Sequence, residues 1–471
     1  MPNPLLSLPF EAALEGLGGD YWDVVEPAGF PAATLRFRND ALLEQLGIDP
    51  AAVSTADLEE AYGRFRGRLP LLALRYHGHQ FGIYNPFLGD GRGFLYGQLR
   101  DRQGRLQDLG TKGSGTTPWS RGGDGRLTLK GGVREVIAAE ALHRLGVRTS
   151  RTLSLVETGE ELWRGDEPSP TRSAVMVRLA RTHLRFGSCE RLLYRRQPHQ
   201  LTRLLQHVIA LYYPGLLHAQ PDRGATGTAA ALDGKLITAF YGELLERVAR
   251  LAAEWMAAGF THGVLNTDNM SLAGESFDYG TYGFLDRWDP GFTAASFDHS
   301  GLYAYGQQPA ICHQNLQLLQ EPLAMLLPRG PLAEQLQRFA PAYNDHYRRR
   351  MLRRLGFAPA DLPGADGALA AAELPDPVPL TLQLLAGWDV GYGDLFSGLA
   401  AAIARDGLPN TAEELQPVVA GTPQPPRNRW IAWRDAWWGW SRILAGVPGG
   451  GTAIQRNLAR WNLPEPPTRP R

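Results

Sequence analysis

Between Leu71 and Ala180 the chain writes short apolar or alternating runs, LLALRY, GFLYGQL, RTLSLVE and SAVMVRLA, separated by glycines. Beyond about residue 198 this gives way to helical periodicity, near 199–213, 235–258, 310–326 and 331–355. Glycine-bounded strands need partners in a sheet, and amphipathic helices need an apolar surface to lie on. The order therefore dictates an α+β fold, a small sheet followed by a larger helical part. One helix interrupts the strands, roughly Gly131 to Leu145. There Val133, Val136, Ile137 and Leu142 recur at helical spacing and Gly146 suits a C-terminal cap. The first 70 residues read as short helices, Asp40 capping ALLEQLG and Thr55 capping ADLEEAYGRF.

This reading divides the chain into a helical N-terminal extension over 1–70, a β-rich unit over 71–198, a helical unit over 199–355 and a helical C-terminal extension over 356–471. In the last, Trp430, Trp433, Trp437 and Trp440 recur at helical spacing and read as core. The Pro/Gly/Ala-rich stretches at 357–380 and 420–427 read as linkers or surface loops. With 44% apolar and 20% charged residues, 471 residues bury a sizeable core. Zero net charge argues against bulk electrostatic binding to nucleic acid. No apolar run reaches about 18 residues, and the N-terminus lacks a basic, then apolar, leader; the expectation is a soluble cytoplasmic protein without membrane partners. Cys189 and Cys312 read as buried thiols.

Four segments could carry chemistry. In FLGDGRGFLYG, Gly89, Gly91 and Gly93 would let backbone approach phosphate, with Arg92 adding charge, or would simply close a hairpin. In LGTKGSGTTPWSRGGDGR, Lys112 leaves a strand before a glycine-rich loop. Of 48 basic residues 45 are arginine, so a site that keeps lysine asks for a compact point charge. Its partner would be Glu135 on the following helix, the strand-lysine and helix-glutamate pair of kinases; the alternative is a surface ion pair. In LNTDNMSLAGESFDYG, Asn269 together with one of Asp268 and Asp278 offers hard oxygen ligands for Mg²⁺ or Mn²⁺, and a further carboxylate could accept or orient a nucleophile's proton; an Asx-rich turn is the plainer reading. Finally, Arg178, Arg181 and Arg185 follow a strand and could bind phosphate, although arginine is everywhere in this chain. The His77 and His79 pair lacks further ligands at zinc-like spacing and reads as structural.

Together YHGHQFG, LGDGRG, TKGSGTTPWSRGGDGR, VREVIAAEALHRLGV, THLRFG and HGVLNTDNMS…FDYGTYGFLDRWDPGF resemble the selenoprotein O family of protein adenylyltransferases, in order, over about residues 70 to 310. The resemblance implies a bilobal protein-kinase-like fold that holds ATP in reversed orientation. It also implies transfer of AMP, or UMP from UTP, to Ser, Thr or Tyr hydroxyls of proteins. By motif, Gly89, Gly91, Arg92, Asp124 and Gly125 would contact nucleotide. Lys112 would hold phosphate and pair with Glu135, while Arg178 and Arg185 would bind the departing pyrophosphate. Asp268 would accept the proton, and Asn269 and Asp278 would ligate Mg²⁺ or Mn²⁺, Asp278 thereby also holding nucleotide. The chain departs from the family in lacking a Cys-x-x-Cys in its tail, and Ala294 stands roughly where some members carry cysteine, so the resemblance does not extend to redox control through a C-terminal disulfide. A conventional γ-phosphoryl kinase would place its Asn about five residues after the Asp, whereas Asn269 follows Asp268 directly. A silent pseudokinase scaffold has no need to keep all five of Lys112, Glu135, Asp268, Asn269 and Asp278.

Overall fold

The computed structural model describes residues 2–165, 167–218, 232–416 and 422–462. The tail beyond Asn462 and part of the 420–427 stretch lie outside them. The fold is α+β, built on one antiparallel sheet whose main strands are β1 (Trp22–Val25), β2 (Thr34–Arg38), β3 (Leu71–Leu74), β4 (Leu95–Arg100), β5 (Leu106–Lys112), β6 (Arg151–Leu162) and β7 (Thr171–Ala180). They lie in the order β1-β3-β4-β5-β7-β6-β2, and the short strand Leu127–Thr128 pairs beside β7.

The two edge strands correct the expectation for the first 70 residues. Trp22–Val25 pairs with β3 and Thr34–Arg38 with β6, so helices occupy only part of that segment. Both strands are short and flanked by proline and glycine, so nothing local betrays them; the unpaired edges of β3 and β6 recruit them. The helix starts also fall one residue earlier than expected. Asn39 rather than Asp40 caps Asp40–Gln45, and Ser54 rather than Thr55 caps Thr55–Leu58, with Asp57 closing a capping box.

Helix α1 (Leu129–Arg144) starts at the Thr128 cap and stops at Gly146, whose φ of 77° is left-handed. It buries half of the apolar set expected of it, Val136 and Leu142. Val133 and Ile137 are exposed, while Glu135, Ala138, Ala139 and Leu142 face inward. Residues at i, i+3, i+4 and i+7 share one face, and turning Glu135 inward toward Lys112 turns Val133 and Ile137 out.

Further helices are α2 (Phe186–Tyr194), which the sequence did not announce, α3 (Pro198–Tyr212), α4 (Gly234–Ala258) and α5 (Gln308–Leu323). The single helix expected over 331–355 is two, Arg329–Leu336 and α6 (Phe339–Arg354). Helix α4 buries most of its length and anchors the largest core. The 357–380 stretch is no bare linker: it contains helix Ala365–Ala371 and the start of Pro377–Leu385. Leu369 and Val378 from it, with Leu384 just beyond it, share a second core with the tryptophan stripe of α7 (Arg427–Gly446), which precedes α8 (Gly450–Trp461). Trp430, Trp433, Trp437 and Trp440 are all buried, as the periodicity predicts. Among the described residues no helix is long and apolar enough to cross a membrane.

Candidate active site

The glycine-rich segment between β3 and β4 meets the one after β5. A Cβ on Gly89 would sit 2.3 Å from the Trp119 ring, so glycine here admits Trp119. Ser120 Oγ donates to Gly91 O at 2.5 Å and Thr117 Oγ1 to Asp90 O at 2.5 Å, lacing the two loops together. Trp119 Nε1 in turn donates to Asp23 Oδ2 of β1 at 2.9 Å, so the N-terminal edge strand braces this wall. Gly125 has φ of 69°, and a Cβ there would meet Gly115 O at 2.2 Å. Asp124, half-exposed at the rim, is held by Arg164 at 2.8 Å and by the Arg126 amide at 2.9 Å.

Lys112 ends β5 opposite Met176 of β7, and Arg178 stands two residues further along β7. Strand periodicity of two puts Lys112 and Arg178 on the same face of the sheet. Buried there, Lys112 Nζ donates to both Glu135 Oε1 and Asp278 Oδ1. Arg178 Nη1 lies 3.5 Å from Asp278 Oδ1 and 3.7 Å from Glu135 Oε2. Burial by itself would raise the Asp278 pKa, but Lys112, Arg178 and Arg92 hold it well below the usual carboxylate range. Asp278 has a left-handed φ of 66°, a conformation that costs a non-glycine residue about 1–3 kcal/mol.

Asp268 sits in the turn Thr267–Asn269, close under Gly78, where a Cβ would lie 3.1 Å from its Oδ1. Burial pushes its pKa up to about 6, with Arg185 pulling down and Asp278 pushing further up. Its Oδ1 is buried and takes no hydrogen bond among the described residues. Arg185 is buried over the Tyr76 ring at 4.0 Å, donates from Nη1 to Asp268 O at 3.0 Å, and lies 3.4 Å from Asp90. The turn is braced from behind. Thr267 Oγ1 donates to Glu190 Oε2 at 2.8 Å and accepts from the His79 amide at 2.7 Å, while His79 Nδ1 meets Glu190 Oε1 at 3.0 Å. His77 pairs with Tyr84 at 2.7 Å, so both histidines are structural, as their spacing suggests. Cys189 and Cys312 are buried free thiols.

One cleft of about 580 Å³ gathers ten of the expected residues: Gly89, Gly91, Arg92, Lys112, Asp124, Gly125, Arg178, Arg185, Asp268 and Asp278. That volume is in the range of small-molecule sites. Glu135 stands behind Lys112, and Asn269 beside Asp268 rather than on the cleft wall. Arg181 turns away into another cavity. Sequence reasoning missed Asp90, Trp119, Tyr76 and Arg164, which also line the cleft. The first three lie inside motifs already singled out; Arg164 has no signal in an arginine-rich chain. The donors fit a hard divalent cation. Asp278 brings a carboxylate held well below the usual carboxylate range, and Asn269 Nδ2 donates to Val264 O at 2.9 Å, which leaves its amide oxygen available to a cation.

A family model described as protein adenylyltransferase SelO matches residues 4–471. A protein nucleotidyltransferase YdiU of Synechococcus elongatus is 53% identical over 480 residues, covering 99% of this chain and 91% of the relative. Another of that name from Gloeobacter violaceus is 54% identical, covering 94% and 86%. One from Azotobacter vinelandii is 38% identical, covering 85% and 78%. With so much of the chain matched, it belongs to the SelO family of protein adenylyltransferases.

Proposed function

We infer that the chain is a protein nucleotidyltransferase that moves AMP from ATP, or UMP from UTP, onto Ser, Thr or Tyr hydroxyls of cytoplasmic proteins with release of pyrophosphate. The observation that carries this reading is the convergence of Lys112, Arg178, Arg185, Asp268 and Asp278 on one cleft beside two interlocked glycine-rich loops. The buried pair of strand lysine and helix glutamate between sheet and helices supports a bilobal kinase-like reading of the fold.

In the reaction a protein hydroxyl attacks the α-phosphorus, and the bond to the bridging oxygen breaks as pyrophosphate leaves. Asp268 accepts the hydroxyl proton; its Oδ1, desolvated and without another hydrogen bond among the described residues, is a ready acceptor. Arg185, fixed by its Tyr76 stack, and Arg178 face the charge that builds on the leaving oxygens. Lys112, steered by Glu135, adds a point charge to the same phosphates. Asn269 and Asp278 would hold Mg²⁺ or Mn²⁺, which would supply neutralisation of the phosphate charge. The glycine-rich loops position the nucleotide, and positioning supplies much of the remaining rate.

The test uses ATP labelled at either the α- or the γ-phosphorus, a mixed protein substrate and Mg²⁺ or Mn²⁺. Label is expected on protein from α-ATP alone and is expected to disappear with Asp278→Ala. Transfer of γ-label would make the chain a phosphoryl kinase, and no label from either would make it a scaffold.

A further inference from the structure

A second cavity, of about 540 Å³, opens at the other end of β5 from Lys112, where β7 ends and α1 meets α8. Its wall carries six guanidinium groups, Arg105, Arg144, Arg148, Arg151, Arg181 and Arg460, together with the His143 imidazole. Glu275 is the one carboxylate on that wall among the described residues; it accepts from the Arg181 amide at 2.8 Å, and burial pushes its pKa up.

Carboxylates behind the wall answer part of the positive charge. Asp101 takes Arg105 at 2.8 Å and Glu140 takes Arg151. Glu254 is shared, 2.8 Å from Arg350 and 4.0 Å from Arg148. Arg144 donates to the backbone oxygens of Ala459 and Arg460, which satisfy hydrogen bonds but neutralise no charge. Arg460 lies 5.0 Å over the Trp461 ring. Arg148 Nη2 and Arg181 Nε are buried with no hydrogen-bond partner among the described residues. Converging guanidinium groups in a partly desolvated cavity repel one another unless an anion joins them. A phosphate, with up to two charges and several acceptor oxygens, can bridge several forks where a carboxylate serves one. The cavity is larger than one phosphate needs and falls within the range of small-molecule sites.

We propose that this cavity is a second ligand site, built to take a small phosphorylated anion between the guanidinium groups of Arg144, Arg148, Arg181 and Arg460. The site shares its framework with the catalytic cleft. Helix α1 presents Glu135 at one and His143 and Arg144 at the other; β7 with its following residue presents Arg178 and Arg181. The 275–278 segment presents Asp278 and Glu275, and is tied to the cavity wall by Ser276 N donating to Arg148 O at 2.9 Å.

The proposal is tested by calorimetric titration of the full chain without divalent metal, using inorganic pyrophosphate and AMP in separate runs. Arg144→Glu/Arg460→Glu reverses two exposed charges outside the catalytic cleft. It is expected to bind one equivalent fewer than the unchanged protein, or to bind that equivalent at least about tenfold more weakly. Hydrogen exchange should slow over 143–151 and 179–181 when ligand is added to the unchanged protein, and not in the double variant. Loss of an AMP equivalent assigns a nucleoside phosphate site; loss confined to pyrophosphate assigns an inorganic one. Equal stoichiometry and affinity in both proteins for both ligands, or no ligand effect on exchange in those segments, overturns the proposal. Should the double variant melt below the unchanged protein, Arg460→Ala replaces it under the same criteria.

Discussion

Lys112 shows how much one residue can be asked to do. It is 4% exposed, touches two carboxylates and lies 23 residues from the nearer in sequence. A planar guanidinium is larger, and its donors are fixed in a fork, so it cannot reach Glu135 and Asp278 from the same spot without displacing one of them. Lys112→Arg should therefore lose on the order of 100-fold in kcat/KM for nucleotide transfer, the kinetic equivalent of losing one or two charge-assisted hydrogen bonds. Retention of more than half the activity would show that the position needs charge alone. Asp278 and Asp268 illustrate the complementary point: two carboxylates in one cleft are pushed in opposite directions, Asp268 up by burial and Asp278 down by Lys112, Arg178 and Arg92. The motifs named both residues, but neither their opposed acidities nor the unsatisfied Oδ1 of Asp268 can be read from a string of letters, because both arise from groups far apart in the chain.

At the scale of elements, the sheet is completed by strands whose sequences are weak and whose pairing is strong. β2 is held to β6 by its ladder and by Glu157, which takes Arg36 of β2 at 2.6 Å and Arg172 of β7 at 2.5 Å. Hydrogen bonding to Arg172 and Arg36 lowers the Glu157 pKa to about 2. A carboxylate with a depressed folded pKa stabilises the fold above its unfolded pKa and loses that contribution as pH falls toward the folded value. Glu157→Gln should therefore melt below the unchanged protein above about pH 4.5, with the difference closing as pH approaches 2. Thermal melts across that window check this, and a difference independent of pH would count against it. The rotation of α1 belongs to the same scale. Hydrophobic periodicity alone chose Val133 and Ile137 for the core, and the ion pair chose Glu135 instead.

Taken whole, the molecule ties its N-terminal edge strand and its tryptophan core to the candidate cleft. The N-terminal edge strand holds Trp119 through Asp23, and the tryptophan core of α7 is continuous with Met256 and Ala257 at the end of α4, just before the Asp268 segment. Trp433 is fully buried and donates from Nε1 to Thr381 Oγ1 at 2.9 Å. Trp433→Ala should cost about 3–5 kcal/mol of stability, read from the shift in denaturant midpoint; a cost below 1 kcal/mol would mean that this core is dispensable. The sequence by itself determined the α+β class, the main strands from Leu71 to Ala180, the buried tryptophan stripe and, through motifs that resemble a known family, ten residues that share a cleft, because periodicity, glycine spacing and unbroken motifs are local properties of a chain. Only the tertiary structure decided which edges recruit Trp22–Val25 and Thr34–Arg38, which face α1 turns inward, and that six of the 45 arginines line one cavity. Those outcomes depend on which distant groups are left unpaired once the local elements have formed, and that competition is settled in space rather than along the chain.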